Sequence, residues 1–367
     1  MKKYFYLLLL CNFFAVAQIP NGYYNSATGT GYTLKTQLYN IIKNHTDQGY
    51  AGLWTTYATS DRDLFYENDN TVLDVYSENP TGPDPYTFIY STNQCGSYTN
   101  EGDCYNREHT IPQSYFGNGV QPMYSDAHFV LPTDGKVNGK RDDFPYGRVG
   151  NVTWTSMNGS KFGNNNNSGY SAGYSQTVFE PVDEFKGDIA RCLLYFVTRY
   201  ENQLVGFYGA TSSTAKVMFD GTSDHSYSNT FLNILITWHL QDPVNAREIA
   251  RNNAVYARQG NRNPYIDHPE YVCQIWQNDC AALSNPTAEI KAISIYPNPA
   301  NNHKINIDTE NKIDNIQLIN VSGQLIMEIK NPIFNNNSYT LENIPQGFYI
   351  LKLSSENQSI AKKIIVN

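Results

Sequence analysis

The stretch Asn106-Arg107-Glu108-His109-Thr110-Ile111-Pro112 sets a carboxylate beside an imidazole, and Asp126-Ala127-His128 and Val137-Asn138-Gly139-Lys140-Arg141 follow it. Together they bring a carboxylate, an imidazole, an amide oxygen and a guanidinium into one length of chain. That set suits metal-assisted attack of water on a phosphodiester. A hard cation such as Mg2+ takes oxygen ligands, which Glu108 and Asn138 can supply. A neutral imidazole that titrates near physiological pH can accept the proton of the attacking water, and His109 is expected as that general base. Arg141 carries planar donors suited to clamping a phosphate, with a salt bridge to Asp142 or Asp143 as the competing use. Structural uses compete elsewhere too: a buried, hydrogen-bonded His109, a surface carboxylate at Glu108, and a turn-forming Asn138 before Gly139.

These residues must be positioned by their elements. In a regular strand Glu108 and His109 would point to opposite faces, so for both to serve one site the strand must end or bulge there. Pro112 agrees with a strand running out. Asp134 to Arg141, with Gly135 and Gly139, predicts a turn feeding one short helix that carries Asn138. Cys95 and Cys104 bracket a polar loop, and a disulfide across it would pin the strand that presents Glu108 and His109.

The chain resembles the endonuclease I family, whose site is a ββα-metal finger related to HNH nucleases. Six stretches carry the resemblance: Arg107 to Ser114, Ser125 to Pro132, Val137 to Arg141, Phe185 to Arg191, Trp238 to Pro243, and Gln259 to Tyr265. Motifs in this order make a specific signal that runs from about Asn21 to about Gln277. The resemblance implies His109 as catalytic base, Glu108 and Asn138 as metal ligands, and Mg2+ as the cation, with Mn2+ or Ca2+ as alternatives. Arg107, Asn261 and Arg262 are expected to line a phosphate groove, although a polar turn after a helix would look the same at Asn261 to Asn263. Some family members carry an arginine between the histidine and the asparagine that steadies the leaving group. Ile111 to Val137 contains none, so Arg141 or Arg148 is expected in that role.

Composition bounds the rest. A length of 367 residues predicts two or three domains. Aromatic residues reach 14%, led by 29 Tyr, while charged residues are 16%, a balance that reads as extracellular. The net charge of −8 argues against generic high-affinity binding to nucleic acid. It argues less against a hydrolase that needs turnover, a bound cation and one local basic groove. Of six Cys, Cys11 lies in the leader; Cys95 with Cys104 and Cys273 with Cys280 can each close a short loop, which leaves Cys192 as a buried helical thiol.

Residues 1–17 read as a secretory signal peptide, with a basic start, a short apolar run and Ala15-Val16-Ala17 at the exit. No other stretch reads as a transmembrane segment. The nuclease-like domain is expected over 18–282, a linker over 283–292 and a small β-sandwich over 293–367. Within the first, a helix is predicted over Leu34 to His45, strands over Val72 to Tyr76 and Phe88 to Tyr90, and an exposed mobile loop over Asn151 to Tyr174. Helices follow after Pro181, over Thr230 to Leu240 and over Pro243 to Arg258. His128 with Asp126 reads as an imidazole held by a carboxylate, His239 as core, and Asp188 with Arg191 as an ion pair. Tyr296-Pro297-Asn298-Pro299, Val321-Ser322-Gly323-Gln324 and Lys362 to Val366 resemble the C-terminal sorting domain of the type IX secretion system of Bacteroidetes. That resemblance implies secretion machinery as a partner and a secreted or cell-surface destination.

The fold class expected is therefore α+β: a mixed nuclease domain with a ββα-metal finger, then a small all-β sandwich. The function expected is a secreted endonuclease cutting DNA, and RNA as well, with 5′-phosphate products implied by the resemblance. Two rivals stand beside it: a ribonuclease with little action on DNA, and a non-catalytic surface adhesin.

Overall fold

A computed structural model describes residues 19–284, 293–309, 312–320, 323–355 and 358–367. The predicted signal peptide, most of the predicted linker and the Val321-Ser322 pair lie outside the described residues. The chain divides after Cys280 into two units.

The first unit opens with α1 (Gly31–Ile42), which buries Leu34, Leu38 and Ile42, spaced so that they share one helical face. Helix α2 (Gly52–Ser60) follows and packs on α8 (Ala246–Gln259). The predicted strands over Val72 to Tyr76 and Phe88 to Tyr90 do not form. Asp74 is the reason at the first: its side chain accepts from Tyr76 N (2.8 Å) and its carbonyl from Ser77 N (3.0 Å), which curls the chain into a turn. The apolar run there is buried as irregular backbone.

Strand β1 (Tyr105–His109) pairs antiparallel with β2 (Val130–Asp134), Glu108 opposite Leu131 and His109 opposite Val130. A short helix α3 (Gln113–Phe116) follows β1, and α4 (Gly135–Arg141) follows β2 and packs on both strands. Together β1, β2 and α4 make a ββα unit.

Residues 149–180 differ from expectation. In place of a loop, β3 (Val149–Thr155), β4 (Lys161–Asn165) and β5 (Thr177–Glu180) form an antiparallel sheet. Most of β3 is exposed, so its polar residues sit on solvated faces and no alternation marks it.

The helical layer supplies the core. Helix α5 (Lys186–Arg199) buries every residue after Lys186. Its polar positions are engaged: Arg191 makes a two-point pair with Glu248 (2.6 and 2.7 Å), and Asp188 meets Arg247. Asp188 also pairs with Arg191 at 3.5 Å, as its spacing predicts. Helix α6 (Leu204–Ala210) leads to α7 (Asn229–Gln241), which packs on α5. His239 of α7 is buried, its Nε2 on the Pro269 carbonyl (3.1 Å) and its Nδ1 near Arg191 (3.3 Å). Asn245 and Glu248 form a reciprocal cap at the start of α8, which sets its first residue three later than predicted. Short helices α9 (Pro264–Asp267) and α10 (Tyr271–Ile275) complete the unit, and α11 (Gln277–Ser284) runs across the division after Cys280. Disulfides join Cys95 to Cys104 and Cys273 to Cys280, while Cys192 is free and buried.

The second unit holds two antiparallel sheets. One orders β6 (Ser294–Tyr296), β7 (Ile305–Asp308) and β10 (Ser338–Leu341) with β7 central. The other runs β9 (Leu325–Lys330), β8 (Asn315–Asn320), β11 (Gly347–Ser355), β12 (Gln358–Val366). Ile305 and Ile307 from the first meet Leu318, Leu351 and Ile364 from the second in one core, which makes a sandwich. Among the described residues no helix is long and apolar enough to cross a membrane.

Candidate active site on the ββα unit

Strand β1 has no bulge and ends at His109, so Glu108 and His109 face opposite ways into different surroundings.

The Glu108 face is a polar cage. Glu108 is 1% exposed, and its Oε1 accepts from Arg141 Nη1 (3.0 Å), Tyr146 Oη (3.0 Å) and Tyr76 Oη (3.2 Å). Tyr76 and Tyr146 also bond to each other (2.6 Å). Oε2 takes no hydrogen bond among the described residues. Burial raises the Glu108 pKa, and Arg141 and the two phenols oppose it.

The His109 face is aromatic. Its ring stacks on Tyr124 (5.3 Å between centroids) and Tyr50 (6.0 Å), which stack on each other at 3.9 Å. Nε2 donates to the Tyr124 carbonyl (3.1 Å). A carbonyl can only accept, so the neutral ring carries its proton on Nε2 and presents a lone pair at Nδ1. Burial pushes the His109 pKa down from 6.5 to about 4, so the ring is neutral at pH 7. Arg107 lies on this same face, its guanidinium 3.4 Å from the centre of the Tyr50 ring and 4.2 Å from that of Trp54, with Nη1 on the Tyr50 carbonyl (3.1 Å).

Asn138 lies in α4, half-buried, and its side chain makes no hydrogen bond among the described residues. It stands one turn before Arg141 on the same helical face, and Arg141 reaches Glu108. No hydrogen bond joins the His109 imidazole to Glu108 or Asn138 among the described residues.

Helix α4 is held from two sides. The Asp134 side chain caps it by accepting from Val137 N (2.8 Å), and Asp74 accepts from Asp134 N (2.7 Å). On the other side the Cys95–Cys104 loop lays Tyr98 on its glycines. A Cβ at Gly135 would stand 2.6 Å from Cys95 Sγ, and one at Gly139 would meet the Tyr98 hydroxyl. The disulfide loop therefore braces α4, besides the predicted strand β1.

Several of the expected residues are engaged elsewhere in the fold. Arg141 is not open to a phosphate: it is 1% exposed, and its Nη atoms hold Glu108, the His109 carbonyl (2.8 Å) and the Thr110 carbonyl (2.6 Å). The salt bridge it makes is to Glu108, where Asp142 or Asp143 was expected. Asn261 is fully buried and bonds the Ile42 carbonyl (3.3 Å) and Tyr195 Oη (2.7 Å), so it lines no groove. Arg262, also buried, is closed by Asp267 (2.5 and 2.7 Å) and Asn253 (2.8 Å). Arg148 is buried over Tyr170 and donates to Ser168 Oγ (2.9 Å).

His128 is fixed by the Asn261 carbonyl (2.9 Å) in place of the predicted carboxylate. Asp126 accepts instead from Tyr195 and Tyr200 (both 2.8 Å), a core hub. The residue patterns hid Tyr76, Tyr146, Tyr50 and Tyr124, because phenols far along the chain leave no spacing signal. Only Asp134, an N-cap residue before a short helix, had one.

A family model described as Endonuclease I matches residues 30–270, and one described as Secretion system C-terminal sorting domain matches 294–367. An "Extracellular ribonuclease" of Bacillus amyloliquefaciens is 32% identical over 69% of this chain and 78% of its own. An "Extracellular ribonuclease" of Bacillus subtilis (strain 168) is 33% identical over the same shares. An "Endonuclease-1" of Buchnera aphidicola subsp. Baizongia pistaciae is 24% identical over 48% of this chain and 69% of its own. With a buried carboxylate and a neutral histidine at the end of β1 beside α4, the chain belongs to the endonuclease I family and is a secreted or cell-surface nuclease that carries a C-terminal sorting domain.

Proposed function

We propose that this nuclease is a divalent-metal-dependent endonuclease of low sequence preference, hydrolysing DNA and RNA with His109 as general base and leaving 5′-phosphate ends. The observation that carries the reading is that Glu108 Oε2, the Asn138 side chain and His109 Nδ1 make no hydrogen bond among the described residues. Two oxygen donors fit a hard cation that keeps most of its water, as Mg2+ does. Arg141, Tyr76 and Tyr146 hold Oε1 and so fix the carboxylate. A cation held by Glu108 and Asn138 would supply charge stabilisation at the phosphate. His109 takes the proton of the attacking water at Nδ1 while Tyr124 fixes the ring through Nε2. Arg107 carries a half-buried guanidinium on the same face, suited to a substrate phosphate. No zinc-finger spacing or basic tail marks the chain as a base reader, so contacts go mainly to phosphate. We infer that residues 18–282 carry this activity and residues 293–367 the sorting function.

A second reading, ribonuclease action with little on DNA, is favoured by the names of the two Bacillus relatives. Parallel digests of duplex DNA, single-stranded DNA and RNA in Mg2+ separate them. Comparable rates support the broad reading, and RNA cleavage alone supports the second. Unchanged polymers with all three substrates would leave the adhesin.

A further inference from the structure

The loop between α2 and β1 gathers carboxylates that play no part in the site above. Asp63, Glu67 and Glu78 each bring an oxygen within 4.8 Å of the others. Glu78 is 1% exposed, and among the described residues neither of its carboxylate oxygens has a hydrogen-bond partner. A buried carboxylate left so is costly unless a proton or a cation joins it. Its strongest electrostatic neighbours are Asp84, Glu67 and Asp63, all acidic, and burial with their repulsion pushes its pKa up to about 9. The backbone is shaped around the cluster. Asp63 Oδ1 accepts from Phe65 N (3.1 Å) and Tyr66 N (3.0 Å), and its main chain pairs with Asn70 and Thr71 (3.0 Å each). That holds Asp63 in place beside the two unpartnered Glu78 oxygens.

We propose that Asp63, Glu67 and Glu78 bind a calcium ion that locks this loop, separate from the Glu108–Asn138 pair. Three carboxylates on irregular backbone, one able to bind through both oxygens, suit the variable geometry of Ca2+ better than the strict octahedron of Mg2+. The loop has a reason to be locked: Glu78 is two residues from Tyr76, which bonds Glu108, and four from Asp74, which holds the start of α4.

The test follows thermal unfolding of the chelator-treated full-length protein. All four Trp lie in the first unit, so their fluorescence reports that unit. About 10 mM CaCl2 should raise its melting temperature by about 5 °C if the site binds near 0.1 mM. Glu67 is exposed, so Glu67→Gln should fold normally; tenfold weaker binding would cut the shift to about half or less. Glu78→Gln should abolish it. No shift in the unmodified protein, or a full shift in both variants, overturns the proposal. An equal shift with MgCl2 overturns the choice of calcium. If Glu78→Gln does not fold, Glu67→Gln decides. No turnover is measured, so the result is independent of the proposed nuclease chemistry.

Discussion

Two segments of this protein carry the same kinds of residue: Arg107 to Arg141 on the ββα unit, and Asn261-Arg262-Asn263 after α8. Both combine amides and a guanidinium, and both seemed fit to meet a phosphate. They differ in what their polar atoms already hold. At Asn261 to Asn263 the side chains fasten α1, α5 and α8 to the turn. At the ββα unit Glu108 Oε2, the Asn138 amide and His109 Nδ1 make no hydrogen bond among the described residues. Residue type identifies what could do chemistry; hydrogen-bond engagement decides which copy is free to do it.

The sharpest way to break that contrast is His109→Ala. Loss of a general base should lower kcat by about 10²–10⁴-fold with the fold retained by circular dichroism. Activity near the original level would remove His109 from the mechanism. Asn138→Ala should cost on the order of 100-fold at fixed Mg2+ and little stability, because its amide holds nothing. Arg262→Ala should do the reverse: it leaves Asp267 buried without its partner and destabilises by about 3–5 kcal/mol, while activity per folded molecule stays within about twofold. Denaturant melts run beside initial rates separate the two, and swapped outcomes would erase the distinction drawn here.

A smaller effect concerns pH. His109, His128 and His239 each have a pKa lowered to about 4 by burial. The unfolded chain therefore binds more protons than the folded one between about 4 and 6.5, so stability rises with pH across that window and is lost as pH falls through it. The acid limb of kcat/KM should likewise sit well below 6.5. A limb at 6.5 would mean that the His109 ring is solvated, contrary to its stacking on Tyr124.

Much of this was legible beforehand. Apolar patterning marked α1, α5 and α7, and the composition after Cys280 marked the small β-sandwich as a unit. The Glu108, His109 and Asn138 motif stood out through its residue types and order. The sheet β3–β4–β5 was hidden because most of β3 is exposed and the chain around it is polar, so no alternation marks it. Helix α2, rich in Thr and opened by a Gly, has weak intrinsic preference and is held by packing on α8. The tyrosine cage around Glu108 was invisible because Tyr76 and Tyr146 reach it only through tertiary folding.

The central claim is that Glu108 Oε2 and Asn138 hold a divalent cation that the reaction requires. Plasmid nicking with and without EDTA tests it most directly. The account predicts conversion of supercoiled to nicked plasmid in Mg2+, abolition by EDTA, and recovery when Mg2+ is returned in excess. Nicking that continues undiminished in EDTA would contradict it.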